Sequence, residues 1–242
     1  MLRQKESKVD LGLQAFSAFG IDHINSSGFV GYEEAVATLN KRVEGVTAGQ
    51  IKPLIWFLQH PSLYTAGPLW VGDESVKVKG KLVPFFRTQR GGQMTYHGPG
   101  QRIVYVVLPL RHFGLSISSF LSALGTWVQK SLESVGVPCF YDDKQIGVWV
   151  TQKGHVAQKV ASIGLRVRKG VVFHGVALNI DPDMDYFGAI KPCGLQAEQV
   201  TSLKNTGYFL GLDQVDQALY KSFNSAFGSL ISRGALKEAA GL

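Results

Sequence analysis

The chain has 242 residues, 45% hydrophobic and 18% charged, with 28 glycines. This balance excludes a disordered or low-complexity chain, and the length fits one large domain or a large and a small one. A formal charge of +7 points to an acidic partner, either nucleic acid or an acidic carrier protein.

Residues 1–27 show no strong periodicity and read as a partly mobile start. From Tyr32 the apolar positions Tyr32, Ala35, Val36, Leu39 and Val43 fall on one face at helical period. Lys52–Leu58 reads as a buried strand and His60–Gly67 as the loop leaving it, while the basic segment 77–81 suggests an exposed hairpin or loop. Leu82–Thr88 and Ile103–Leu110 are expected as strands from their β-branched and aromatic content. They flank Arg90-Gly-Gly-Gln-Met-Thr-Tyr-His-Gly-Pro-Gly-Gln101, a glycine-dense stretch that brings backbone N–H groups close to whatever sits there. A plain β-turn loop is the bland alternative, but its density of polar groups favours a ligand-facing loop.

Ser116 offers a hydroxyl cap to a helix striped by Phe120, Leu121, Leu124, Trp127, Val128, Leu132 and Val135, which Gly136 ends. Cys139–Tyr141, Ile146–Thr151, His155–Val167 and Val171–Ile180 then read as an antiparallel meander. In the last of these, Val172, His174, Val176 and Leu178 alternate with Phe173, Gly175 and Ala177. A final helix is expected near Asp213–Arg233. The segments do not alternate as βαβ units, so the class is α+β rather than a dinucleotide-binding fold.

The usual motifs are missing. There is no phosphate-binding G-x-x-x-x-G-K-[ST], no H-E-x-x-H and no G-x-S-x-G, and Ile103 stands where a dinucleotide fingerprint after Gly98 would need glycine. The six histidines are scattered without ligand spacing, so no metal is expected. No RNP-like aromatics or zinc-finger spacing accompany the basic residues, so no nucleic acid is expected. Two cysteines make no disulfide framework, residues 1–10 lack the apolar run of a signal peptide, and Ile103–Leu110 is too short to span a membrane. A cytoplasmic protein with no membrane attachment follows as the expectation.

The remaining nucleophile candidates are the cysteines. Cys139 follows Pro138 in an apolar context and reads as core. Cys193 lies between proline and glycine in Lys191-Pro-Cys-Gly-Leu195, either a rigidly aimed thiol or an ordinary loop cysteine. A thiol needs a cationic neighbour to become a good nucleophile at neutral pH. Lys159, in Ala157-Gln-Lys-Val-Ala161, is ordinarily read as a solvated face residue; pointing inward, it could hold Cys193 as thiolate and move protons.

Four blocks carry a family resemblance: Arg90–Gln101, Lys159–Arg168, Phe173–Asn179 and Pro192–Gly194. In order and content they resemble the signature blocks of the octanoyl-[acyl-carrier-protein]:protein N-octanoyltransferases. His60-Pro-Ser-Leu-Tyr-Thr-Ala-Gly67 resembles that family's early H-P-x-x-Y-T-x-G segment. Met94 departs from a common valine, and the first fifty residues match weakly. The resemblance spans about residues 55–205.

The resemblance implies a mixed, mostly antiparallel α+β domain packed with helices, shared with lipoate- and biotin-protein ligases. It implies a single catalytic domain over residues 28–242 behind an N-terminal extension over 1–27. It assigns Cys193 as the residue carrying an acyl thioester and Lys159 as its acid/base. Arg90, Gly91, Gly92, Gln93, Met94, Thr95, Tyr96 and His97 would line the acyl-substrate site with Ser162, Ile163, Gly164, Gly175, Val176 and Ala177. The implied donor is octanoyl-acyl carrier protein. The implied acceptors are lipoyl domains of 2-oxoacid dehydrogenase complexes and the glycine cleavage H protein. No cofactor and a monomeric enzyme are also implied. Carrier proteins and lipoyl domains of this kind are acidic, which suits the +7 charge. The glycine-rich loop would supply N–H groups to the oxyanion of each tetrahedral intermediate. The rival implied by the same fold is an ATP-dependent lipoate- or biotin-type ligase, which has no use for Cys193.

Overall fold

The structure is a computed structural model that describes residues 15–239 except 69, 73, 152–155 and 191–198. A seven-stranded mixed sheet forms the frame. Its strands are Asp22–Phe29 (β1), Leu54–Gln59 (β2), Gln101–Pro109 (β8), Cys139–Asp142 (β9), Gly147–Val150 (β10), Gln158–Arg168 (β11) and Val171–Asn179 (β12), in the order β1-β2-β8-β12-β11-β10-β9. Only β1 and β2 run parallel; every other neighbour is antiparallel. A smaller sheet places Leu63–Ala66 (β3) between Phe85–Arg87 (β6) and Thr95–His97 (β7), and Lys77–Val78 (β4) pairs with Lys81–Leu82 (β5) as a hairpin.

β8 and β12 are buried along their whole length, because the sheet is covered on both faces. On one face lie the helices Ile117–Glu133 (α2) and Leu212–Ala239 (α4). Their Trp127, Phe223 and Phe227 pack edge-on and stacked with Phe16 and Phe57. On the other face, Tyr32–Thr47 (α1) lays Ala35, Leu39, Val43 and Val46 against Trp56, Tyr105 and Phe173. α1 and α2 have the apolar stripe their sequences require. Ser116 caps α2, its hydroxyl accepting from the Ser119 N–H at 3.2 Å. A short helix Asp185–Gly188 (α3) lies between β12 and α4. Among the described residues, no helix is long and apolar enough to cross a membrane.

Three expectations need correction. The boundary after residue 27 falls inside β1, and Phe16 is fully buried in the main core. Residues 15–27 are therefore part of the domain, and β1–α1–β2 is a βαβ unit after all. Residues 1–14 lie outside the described residues. His60–Gly67 is not only a loop, since β3 runs through it with all four residues buried. Finally, Leu82–Thr88 is not one strand. Pro84 has no N–H to continue a ladder, and the chain passes there from the hairpin to the smaller sheet, with the Pro84 carbonyl accepting from Tyr64 N–H at 2.8 Å.

Candidate active site

The glycine-rich stretch divides by alternation. In β7, Thr95 and His97 face a pocket on the α1 side of the large sheet, whereas Met94 and Tyr96 turn into a separate core with Tyr64 and Phe187. Gln93 is exposed. The pocket is tight, with a volume of about 50 Å³ for water-sized contents, and its lining is mainly apolar. Arg90, Gly91, Gly92, Thr95, His97, Ser162, Ile163, Gly164, Gly175, Val176 and Ala177 line it. Of the residues expected to bind substrate, only Gln93, Met94 and Tyr96 are not in its wall. Tyr32, Ile103, Tyr105 and His174 complete the lining. Of these, only His174 lies in one of the signature blocks.

Gly164 on β11 pairs with Gly175 on β12, and the Arg90–Gly91 loop packs closely on Gly164, where a Cβ would meet the Gly91 oxygen at 3.2 Å and Arg90 Cδ at 3.3 Å. Neither strand places a side chain over the sheet there. At Gly175 a Cβ would stand 2.0 Å from the Val104 carbonyl oxygen, so the position admits no other residue without a shift of backbone.

Arg90 is buried, and its guanidinium donates to the Thr65 hydroxyl and carbonyl and to the Gly91 and Gln93 carbonyls at 2.8–3.2 Å. It thus clamps the loop onto β3. The Gly91 N–H donates to the Leu165 carbonyl at 3.1 Å, which removes it from the oxyanion donors expected of the loop. His97 donates from Nδ1 to Gln101 Oε1 at 2.8 Å. The Gln101 amide donates to Asn179, and Asn179 to the Thr201 carbonyl. This buried chain of amides fixes the His97 tautomer. His60 likewise donates from Nδ1 to the Val30 carbonyl and accepts the Tyr105 hydroxyl at Nε2.

Burial pushes His60 and His174 down to about 4. Burial, with Arg90 and two neighbouring histidines, holds His97 well below its ordinary value. Burial raises the Tyr105 phenol far above the usual range. The pocket therefore presents neutral histidine rings at pH 7.

Lys159 is 5% exposed and so is not a solvated face residue. A β-bulge explains its aim. Val148 pairs with Ala161, but Trp149 pairs with Lys159, leaving Val160 as the extra residue. Val160 and Ala161 both enter the core under α2 and α4. An unbroken strand would have sent Lys159 to the face of Ala161; the bulge moves it into step with Ser162 and Gly164. Its Nζ donates to the Ile146 carbonyl at 3.0 Å and sits 5.0 Å from the Trp149 ring centre. Gly147 makes room for the stem, since a Cβ there would lie 2.8 Å from Lys159 Cε and 2.6 Å from the Ala161 oxygen.

Lys159 lines a second, open cavity with Ile117, Leu121 and Ile146. That cavity shares Gly91, Gly92, Ser162, Ile163 and Gly164 with the first. The lysine end and the apolar pocket thus meet across one glycine-rich wall. Val200 bridges Lys159 in parallel, and the Thr201 N–H donates to the Lys159 carbonyl at 2.9 Å. The chain that follows residues 191–198 is thereby fixed to the lysine strand. Cys193 lies outside the described residues. Cys139, half-buried on β9, has its thiol pushed up to about 12 by burial and by Glu133, which fits the core reading of that residue and not a nucleophile.

The family model of the lipoyl protein ligase A/B catalytic domain matches residues 31–224. An octanoyltransferase of Parvibaculum lavamentivorans is 43% identical over 202 residues, covering 82% of this chain and 89% of that protein. The chain belongs to the octanoyltransferase family. A second family member, from Dinoroseobacter shibae, is 40% identical over 218 residues, covering 87% of this chain and 98% of that protein. The fold extends further than the family. A lipoate-protein ligase A bound with ATP superposes with a TM-score of 0.62 at 17% identity, covering 87% of this chain and 92% of that one. A bipartite lipoate protein ligase of Thermoplasma acidophilum gives 0.62 at 18% identity, covering 87% and 90%. The mixed, mostly antiparallel α+β fold is thus the lipoate-ligase fold.

Proposed function

We propose that the chain moves an octanoyl group from octanoyl-acyl carrier protein to a lysine of a lipoyl domain through a thioester on Cys193. The observation that carries the reading is the narrow apolar pocket joined by its glycine wall to buried Lys159. The Cys193 thiolate attacks the donor carbonyl, and the bond to the carrier's phosphopantetheine sulfur breaks. The departing thiolate takes the proton that Lys159 received from the Cys193 thiol. The acceptor amine then attacks the enzyme thioester and loses its proton to Lys159 as Cys193 leaves as thiolate. The first step exchanges one thioester for another, and the second is downhill because it makes an amide. No nucleotide enters either step.

Lipoyl domains of 2-oxoacid dehydrogenase complexes and the glycine cleavage H protein are the proposed acceptors. The +7 charge of the chain suits acidic donors and acceptors. The domain works as a monomer in the cytoplasm.

Intact mass after mixing with octanoyl-acyl carrier protein tests the proposal. One octanoyl group is expected on the wild type without ATP and none on Cys193→Ser, which should also lose transfer. Transfer at wild-type rate by Cys193→Ser would refute the covalent route. Transfer that requires free acid and ATP would make the chain a ligase.

A further inference from the structure

His174 breaks the alternation of its strand. Val172, Val176 and Leu178 enter the core under α2 and α4, and the positions opposite His174, Val106 and Leu165, belong to that same core. His174 should join them. Its φ of +68° instead turns the ring to the other face, where it stacks on Phe173 with centroids 5.0 Å apart and meets Tyr105 edge-on at 5.9 Å. A left-handed backbone at a non-glycine residue inside a strand is a cost that surrounding structure must hold in place, and such costs gather at functional positions.

The place where it turns is the end of the pocket. Along β11 the lysine cavity touches Lys159 and Ser162–Leu165, the pocket Ser162–Gly164, and a third cavity Arg166. The third cavity has a volume of about 410 Å³ and shares two residues with the apolar pocket, Tyr32 and His174. Tyr32, the first residue of α1, is 6% exposed and is held by His60 and Phe86. One residue past the Gly164–Gly175 pair, these two rings therefore stand between the pocket and the third cavity.

We infer that His174 and Tyr32 form the end wall that sets the acyl chain length the enzyme accepts. This rests on the proposed octanoyl transfer. A chain longer than the pocket must displace a ring that packing and a strained backbone hold, or leave its last methylenes outside. Each methylene denied an apolar wall is worth about fourfold. Beyond the wall, Glu33, Arg87 and Arg166 make the third cavity partly polar, whereas Val36, Phe86 and Phe173 offer it an apolar side. Removing the wall joins the two spaces.

The test compares octanoyl, decanoyl and dodecanoyl donors on acyl carrier protein with the wild type, His174→Gly and Tyr32→Ala. Glycine accepts the positive φ, so His174→Gly removes the ring without adding strain. The dodecanoyl-to-octanoyl ratio of kcat/KM should rise on the order of tenfold in His174→Gly, and Tyr32→Ala should move it the same way. A merely structural role would lower all chain lengths in parallel, and an unchanged ratio in both variants overturns the inference. Calorimetric binding of free octanoate and dodecanoate gives the second readout. The wild type should favour octanoate and His174→Gly dodecanoate, and the same preference in both refutes the wall even where transfer is lost. If the wild type transfers no octanoyl group at all, the functional reading fails, and these acid affinities judge the wall separately.

Discussion

Lowering the pH from 7 to 5.5 should destabilise the protein through its buried neutral histidines. His60 and His174 have folded-state values of about 4 against 6.5 when unfolded. Between these values the unfolded chain binds protons that the folded one refuses, so stability is complete above pH 6.5 and falls as pH drops toward 4. At pH 5.5 each histidine costs roughly 1.4 kcal/mol, and the pair roughly 3 kcal/mol. His97, also held well below its ordinary value by burial, and His23, lowered by burial and Arg102, act in the same direction. Asp142 and Asp183 do not interfere, because their lowered values matter only below the ordinary carboxylate range. Urea unfolding followed by tryptophan fluorescence checks this. With a slope near the upper end of about 1–3 kcal/mol per molar, the midpoint should fall by about 1 M between pH 7 and 5.5. A midpoint that does not move would mean that these rings are protonated or exposed in the folded protein, and the neutral-pocket argument would fail with it.

Gly147→Ala forces a Cβ against the Ala161 oxygen and the Lys159 stem. Octanoyl transfer should drop by about tenfold or more if Lys159 is the proposed acid/base, with far-UV circular dichroism unchanged; single-turnover kinetics measure it. Alkylation of Cys193 should shift to higher pH in Lys159→Ala, and an unchanged iodoacetamide profile would dissolve the proposed pairing. Asp216→Ala leaves Arg102 charged and buried, since their 2.9 Å ion pair is about 5% exposed on both sides. It should cost about 3–5 kcal/mol, with the double change Arg102→Met/Asp216→Leu recovering much of it in the same urea assay.

What could be read from the sequence follows how each residue is held. The stripes of α1 and α2 and the apolar runs of β8 and β12 are periodic, and periodicity survives into structure because those faces are buried. β1 escaped because Asp22–Phe29 is mostly polar and lies at a sheet edge, where one partner strand suffices. β3 escaped because four residues between Pro61 and Gly67 look like punctuation. The pocket-lining residues are legible as glycine-rich blocks, but Met94 and Tyr96 share their block by contiguity alone, and β alternation takes them elsewhere. Lys159 and His174 depend on departures from alternation, a bulge and a positive φ, that no local pattern announces. Tyr32 reaches the pocket only because α1 crosses the sheet there, a tertiary fact.

The hydrogen bond from Asn25 to Asp216 spans 191 positions of chain, and Phe16 packs on Phe223. The first strand is thus completed by the last helix. During synthesis at about 5–20 residues per second, β1 leaves the ribosome roughly 10–40 s before α4 exists to cover it. Its polar edge, which made it hard to recognise, keeps it harmless during that wait.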